Sequence, residues 1–299
     1  MRSLRIMVCC DKTRYDHTLV ITSNIRLILT IPIRDQNAMP TVSPDVNTRR
    51  LSLEGAPNVR DLGGYQTRDG GTTRWRKLLR GGRLSNLSDL DQRLLNDFEI
   101  KVICDFRNAH EYQLDMTKLS AQSAAVIHNL SISPGNQHDI IEISNIGAGQ
   151  MATWMTQINR ELALNHCQTY RKMFELLLNL EDGAFMFHCS AGKDRTGFAA
   201  ALILSALDVP RNIVMEDYLL TSQYYPPAGE LEYLTNKYAA NKPDVDPDLF
   251  ATLTSTRPEF LEAAFAAIDE NFNSMDEYLE QALGLSPQKR EHLKRQYVE

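Results

Sequence analysis

The apolar tetrapeptide Ala184-Phe185-Met186-Phe187 runs directly into His188-Cys189-Ser190-Ala191-Gly192-Lys193-Asp194-Arg195-Thr196-Gly197, and the almost wholly apolar stretch Phe198 to Leu207 follows. A short apolar run of this kind reads as a buried strand, and the longer one as a buried helix. The residues between them must therefore form a tight loop that ends on a helix N-terminus. Such a loop is an anion cradle, because its backbone N–H groups and the helix dipole point at whatever sits inside it.

Cys189 and Arg195 stand at the two ends of this loop. The helix-terminal field and the guanidinium together favour the reactive thiolate of Cys189. Arg195 offers a planar fork that holds two phosphate oxygens at once, a geometry lysine does not reproduce. Ser190, Ala191 and Gly192 carry little bulk, so backbone N–H groups can approach a phosphate closely. Thr196 has two readings: a hydrogen bond to the sulfur that eases phosphoenzyme breakdown, or a helix-terminal hydroxyl that satisfies local backbone. His188 is expected to hydrogen-bond behind the loop. It is not read as a metal ligand, since no partner ligands stand at zinc spacing, and no metal or cofactor is expected. A nucleophile inside a phosphate-binding loop implies phosphoryl transfer through a phosphocysteine, with positioning and charge neutralisation supplying most of the acceleration.

The loop resembles the Cys-x5-Arg signature of protein tyrosine phosphatases. Its variant His-Cys-x-x-Gly-Lys-Asp-Arg-Thr-Gly is similar to that of the bacterial and fungal tyrosine phosphatase family, whose mycobacterial member acts on phosphotyrosine, phosphoserine/threonine and phosphoinositides. Other segments in family order carry the same resemblance: Asn58-Val59-Arg60-Asp61-Leu62-Gly63-Gly64-Tyr65, Leu79-Arg80-Gly81-Gly82-Arg83-Leu84, and Val102-Ile103-Cys104-Asp105-Phe106-Arg107 with Glu111. Glu216-Asp217-Tyr218-Leu219-Leu220 and Arg257-Pro258-Glu259-Phe260-Leu261 extend it, so it spans roughly residues 50 to 299. The resemblance implies an α/β cysteine phosphatase fold: a central, mostly parallel sheet flanked by helices. It also implies a phosphorylated protein or phosphoinositide as substrate. Lys193 would add positive charge at the mouth for substrates with several phosphates, or it is a solvated lysine that offsets Asp194.

The leaving oxygen needs a proton from a positioned carboxylic acid. The chain has no Trp-Pro-Asp loop, and two aspartates remain. Asp194 lies within the loop, as in myotubularin-like lipid phosphatases. Asp105 ends a neighbouring strand. A carboxylate beside Arg195 tends to stay ionised, which weighs against Asp194 unless substrate charge opposes it. Arg60 and Asp61, with Asn58, are expected to fix loops around the site, chiefly through a structural salt bridge. Arg107 and Glu111 read the same way. Cys104 is either a small buried strand residue or a partner for an oxidised Cys189.

In 299 residues, 43% hydrophobic content is enough for one sizeable core or two modest ones. A net charge of −6 excludes a general nucleic-acid binder, whose footprint would be basic. Cysteines at 9, 10, 104, 167 and 189 are too few and odd in number for a disulfide framework, and they suit a reducing, cytoplasmic setting. No run reaches the about 18 apolar residues of a membrane span. The nearest, Leu19 to Ile33, is shorter and carries Arg26, so no stable membrane insertion is expected.

Residues 1–47 match neither the family nor an amphipathic pattern, and they read as a poorly ordered extension to a catalytic domain over 48–299. Asp11, Asp16 and Asp35 spoil a transit-peptide composition, whereas an internal start at Met39 would account for the segment. From about residue 48, short apolar runs alternate with helical patterns, as in α/β domains. Ile100 to Cys104 reads as a strand beside Ala184–Phe187, which places Asp105 and Cys189 on one sheet edge. Met151, Trp154, Met155, Ile158 and Leu162, at helical spacing within Asn145–Leu178, read as a core helix or as a lid hinged at Gly147 and Gly149.

The C-terminal third reads as a helical cap. A capping box is expected at Thr256/Glu259 and another at Ser274/Glu277, with Ser286-Pro287 opening the last helix. Tyr225 to Pro247 reads as a surface connection of partly helical character. Two rival functions stand beside the protein phosphatase: a phosphoinositide phosphatase, and a non-catalytic phospho-binding module.

Overall fold

The computed structural model describes residues 49–133, 148–225, 232 and 247–299. In chain order the elements are β1 (Arg60–Asp61), β2 (Leu78–Gly81), α1 (Asp89–Asn96), β3 (Ile100–Asp105), α2 (Ala109–Leu114) and β4 (Val126–Asn129). Then come α3 (Ala148–Asn165), α4 (Cys167–Leu178), β5 (Ala184–His188), α5 (Asp194–Ala206), α6 (Arg211–Leu219) and α7 (Thr221–Tyr224). The described chain ends with α8 (Pro247–Thr254), α9 (Pro258–Phe272), α10 (Met275–Gln281) and α11 (Pro287–Tyr297). The extension expected over residues 1–47, Gly147, and nearly all of the 225–247 connection lie outside the described residues.

The strands form one mixed sheet in the order β1-β2-β5-β3-β4, with β1 antiparallel to β2 and the other neighbours parallel. Central β5 is buried along its whole length, as its unbroken apolar sequence requires. The pleat sends its side chains to two cores. Phe185 and Phe187 join Leu78 and Cys104 beneath the large helical layer, whereas Ala184 and Met186 join Leu79 and Ile103 on the opposite face with Val59 and Leu95. Ile100 shares that second core because a bulge between Ile100 and Val102 shifts the register and turns it over.

The helical layer carries most of the burial. Met151, Met155, Ile158 and Leu162 of α3 are all buried, and α9, in which Phe260, Ala264 and Ile268 are buried, packs chiefly against this helix. The described part of that stretch, residues 148–178, is thus two core helices, with Gly149 in the first turn of α3. Ser274 and Ser286 cap α10 and α11, accepting from the N–H groups of Glu277 and Lys289. The Glu277 carboxylate turns to Asn273 and Gln281, so only half of the box expected at Ser274/Glu277 forms. The box expected at Thr256/Glu259 does not form. Instead α9 starts at Pro258 with Arg257 as its N-cap, and the fixed φ of proline sets the first turn. No described helix is long and apolar enough to cross a membrane.

Candidate active site

Strands β3 and β5 run in parallel and end level, so that Asp105 pairs with His188 and the chain leaves the sheet at Cys189. Helix α5 begins at Asp194, four residues before the apolar run that marks it in the sequence, and Arg195 and Thr196 therefore lie in its first turn. Residues 189–193 form the turn between strand and helix, with Cys189 only 2% exposed at its floor.

Every backbone carbonyl of this turn has a donor, and for Cys189 to Gly192 that donor lies outside the loop and its helix. The Cys189 carbonyl accepts from His188 Nδ1 at 3.2 Å, and that of Ser190 accepts from the Arg83 N–H at 2.9 Å. The Ala191 carbonyl accepts from Asn58 Nδ2 at 3.2 Å, and the Gly192 carbonyl from Asn58 Nδ2 and Arg80 Nη2, both at 2.9 Å. The Lys193 carbonyl accepts from the Gly197 N–H at 2.6 Å. Among the described residues, no acceptor meets the N–H groups of Ser190, Ala191, Gly192 or Lys193. Carbonyls out and amides unpaired is the arrangement an oxyanion needs, since a carbonyl facing a phosphate would repel it. Gly192 makes the reversal with φ at +70° and rests directly on the Gly81–Gly82 backbone.

Arg195 is clamped by Glu111. Nη1 donates to Oε2 and Nη2 to Oε1, each at 2.7 Å, and Nη1 also reaches the Ile132 carbonyl at 3.1 Å. These bonds leave Nε–H and the second Nη2–H, which share one edge of the guanidinium, with no acceptor among the described residues. That edge is the bidentate fork for phosphate oxygens. Glu111 is itself placed by a capping box: Asn108 caps α2 from Oδ1, and Glu111 Oε2 accepts from the Asn108 N–H at 3.0 Å. Ser190 Oγ donates to Glu111 Oε1 at 2.8 Å, which ties loop, helix and arginine together.

Burial alone would raise the Glu111 carboxyl, but the Arg195 charge and its hydrogen bonds outweigh this and bring it from 4.5 to about 2. The folded state therefore keeps the charge where the unfolded chain would take up a proton. The ion pair contributes fully above about pH 4.5 and is lost as the pH falls towards 2. Urea unfolding across this window is expected to show stability falling in the parent and a flatter profile in Glu111→Gln. Superimposable profiles would exclude the pair as a source of acid sensitivity.

Asp105 lies beneath the site with no exposed surface. Its carboxylate accepts from Arg107 Nε at 3.0 and 3.1 Å, from Arg107 Nη2 at 2.7 Å and from the Arg107 N–H at 3.0 Å. Burial raises this carboxyl, yet the hydrogen bonds and charge of the Arg107 guanidinium and the Arg107 N–H bring it below the ordinary range. His188 is pushed down by burial, so its ring is neutral near pH 7 and its Nδ1 must carry the proton given to the Cys189 carbonyl. Cys104 packs in the core, and burial pushes its thiol well up. That matches the reading of a small strand residue.

The Lys193 side chain turns away from the loop mouth. Its Nζ donates to the carbonyls of Leu253 at 2.6 Å and Ser255 at 2.9 Å, where it caps the C-terminal end of α8. It is buried rather than solvated, at 4% exposed, and its ammonium stands beside the Asp194 carboxylate that it was expected to offset. Asp194 is 19% exposed, with Oδ2 3.4 Å from Lys193 Nζ and Oδ1 3.5 Å from Asn159 Nδ2. Thr196 Oγ1 is buried and, among the described residues, meets neither the sulfur nor a backbone group. Asp61 accepts from the N–H groups of Gly63 and Arg76, each at 2.7 Å, and fixes the turn after β1. Arg60 forms a salt bridge with Asp217 at 3.0 Å, a partner the sequence reading did not name.

Sequence reading assigned no role to Arg80, Asp217 or Asn159, all of which lie against the loop or its supports. The available signal was an arginine inside the apolar run Leu78-Leu79-Arg80, a charge that needs a buried partner.

An α/β sheet edge that carries a thiol on the floor of an oxyanion cradle defines a cysteine-based phosphoric monoester hydrolase. The sequence model of the tyrosine phosphatase family matches residues 51–299, and the chain belongs to that family. It is 28% identical over 238 residues to a protein of Cupriavidus necator designated a tyrosine-protein phosphatase, covering 78% of this chain and 84% of that one. It is 27% identical over 260 residues to the triple specificity protein phosphatase PtpB of Mycobacterium tuberculosis, covering 77% and 92% respectively. A tyrosine-protein phosphatase of Nostoc commune is 30% identical over 155 residues, covering 49% and 48%.

Proposed function

We propose that this enzyme hydrolyses phosphotyrosine in proteins in two steps, with Cys189 as nucleophile and Asp194 as general acid. The Cys189 thiolate attacks phosphorus, and an S–P bond forms as the ester P–O bond breaks. Asp194 gives its proton to the departing oxygen. Water then attacks the thiophosphate, returns a proton to Asp194 and releases inorganic phosphate and the thiolate. The unpaired amides of residues 190–193 and the free edge of Arg195 receive the three non-bridging oxygens.

The observation that carries this reading is the outward tethering of every carbonyl from Cys189 to Gly192 around a thiol. The tyrosine phosphatase family match and the Cupriavidus relative favour phosphotyrosine over phosphoserine as the substrate. Asp194 is preferred as acid because it is partly exposed at the loop, whereas Asp105 is fully committed to Arg107. The phosphoinositide alternative drew on Lys193, whose ammonium is engaged with α8, so a protein substrate is preferred. A reducing, cytoplasmic setting fits a catalytic thiol.

Two variants separate the aspartates. Asp194→Asn should lower kcat about 10²–10⁴-fold on an alkyl or phenyl phosphate, and far less on p-nitrophenyl phosphate, whose leaving group needs no proton. Asp105→Asn should instead cost about 3–5 kcal/mol of stability by stranding Arg107, with no leaving-group dependence. The reverse pattern would transfer the acid role to Asp105. Substrate class follows from phosphate release on a phosphotyrosine peptide, a phosphoserine peptide and short-chain phosphoinositides with chelator present. The phosphotyrosine peptide is expected to rank first, and a leading phosphoinositide would overturn the protein assignment.

A further inference from the structure

Beneath the phosphate loop lies a charged cluster with no access to solvent: Arg60 and Arg80 at 0% exposed and Asp217 at 1%. Asp217 Oδ1 accepts from Arg60 Nε at 3.0 Å and from the Tyr65 hydroxyl at 2.8 Å, and Oδ2 accepts from Arg80 Nη1 at 2.5 Å. Arg60 Nη2 also donates to the Asp217 carbonyl at 2.8 Å and to Thr221 Oγ1 at 3.2 Å. One carboxylate thus holds two arginines, and each arginine leads to the loop. Arg80 Nη2 donates to the Gly192 carbonyl at 2.9 Å. Arg60 Nη1 donates to Asn58 Oδ1 and thereby orients the amide, so that Asn58 Nδ2 faces the carbonyls of Ala191 and Gly192.

We infer that Asp217 is a positioning residue for phosphate binding, acting through Arg80 and through Arg60–Asn58 to hold the Ala191 and Gly192 carbonyls away from the substrate. The inference rests on the loop being the substrate's phosphate site. The peptide units on either side of Gly192 have two orientations of very different use. With their carbonyls outward, the amides face the anion; turned over, they present oxygen lone pairs to it. Gly192 lacks a side chain that would restrict such a turn, so restraint must come from donors outside the loop. Those donors stay in place only while the carboxylate of α6 gathers them. A buried ion cluster adds little net stability compared with apolar packing of the same volume. Its geometric service to the loop is the more direct reason for its presence here.

The test uses the full chain. Arg80→Met removes one arm and leaves the Arg60–Asp217 pair matched in charge; Asp217→Asn loosens both arms. Equilibrium binding of inorganic phosphate is followed by calorimetry, kcat and KM with p-nitrophenyl phosphate, and Tm by circular dichroism. Arg80→Met is expected to remain folded at the assay temperature, to bind phosphate at least about tenfold more weakly and to lose about 10²-fold in kcat, as a misdirected cradle should. Asp217→Asn should lose more of both. If it does not fold, Arg80→Met and the uncharged Asn58→Ala decide the matter.

A merely structural cluster would lower Tm while leaving phosphate affinity and kcat of the folded variants at parental values, and that result would overturn the inference. Failure of the hydrolase reading looks different. The parent would bind phosphate without turnover, and weakened binding in Arg80→Met would still support the positioning role.

Discussion

Arg195→Lys lowers kcat/KM by about 10²–10⁴-fold, because two charge-assisted hydrogen bonds to phosphate are each worth about 1.5–3 kcal/mol. Lysine keeps the charge but not the fork. Arg195 uses its Nη1/Nη2 end on Glu111 and presents its Nε/Nη2 edge to the loop, so one planar group is held and holds at the same time. An ammonium can face Glu111 or the phosphate, and the nearby carboxylate will compete for it. The loss should be shared between KM and kcat, since the equatorial oxygens carry more charge in the transition state than in the ground state. Steady-state kinetics on p-nitrophenyl phosphate check this. A loss below about tenfold would mean that the amides alone bind the phosphoryl group.

Gly192→Ala is the second large effect. A Cβ at this position would lie 2.5 Å from the Gly81 carbonyl carbon, 2.6 Å from its oxygen and 2.7 Å from the Gly82 nitrogen. All three are backbone atoms of β2 and the turn that follows it, and they cannot swing aside. A backbone φ of +70° adds strain for any L side chain. The loop must therefore lift off β2, which breaks the Arg80 and Asn58 bonds to the Gly192 carbonyl. Activity should fall about 10²-fold or more, with a Tm lower by several degrees for about 1–3 kcal/mol of strain. Parental kinetics in Gly192→Ala would show that the close seat on Gly81 and Gly82 has no functional weight.

The central strand, the turn and the helix behind it were legible because each obeys a local rule: an unbroken apolar run, small residues, then another apolar run. The pairing of β3 with β5 was legible as well, and with it the shared edge for Asp105 and Cys189. The start of α5 was not, because its first turn is polar and takes its place from the anion site rather than from apolar periodicity. Sequence reading left Asp105 and Asp194 equal, since a carboxylate's use depends on which cation reaches it first. Arg107, two residues along, claims Asp105 completely.

The side-chain partners of Lys193 are hidden in the sequence for a similar reason. Its acceptors, Leu253 and Ser255, lie some sixty residues downstream and offer only backbone oxygen, which carries no side-chain signature. The Asp217 cluster joins β1, β2 and α6 across a separation of up to 157 residues. An arginine within an apolar strand announces that such a partner exists, but not where it is.

The most direct measurement is rapid-quench trapping of the phosphoenzyme from a radiolabelled phosphotyrosine peptide, with chelator present, in the parent and in Cys189→Ser. The account predicts acid-stable label on the parent, mapping to Cys189 and approaching one per chain, and neither label nor phosphate release in Cys189→Ser. Phosphate release that survives in Cys189→Ser, or label mapping to any other residue, would contradict it.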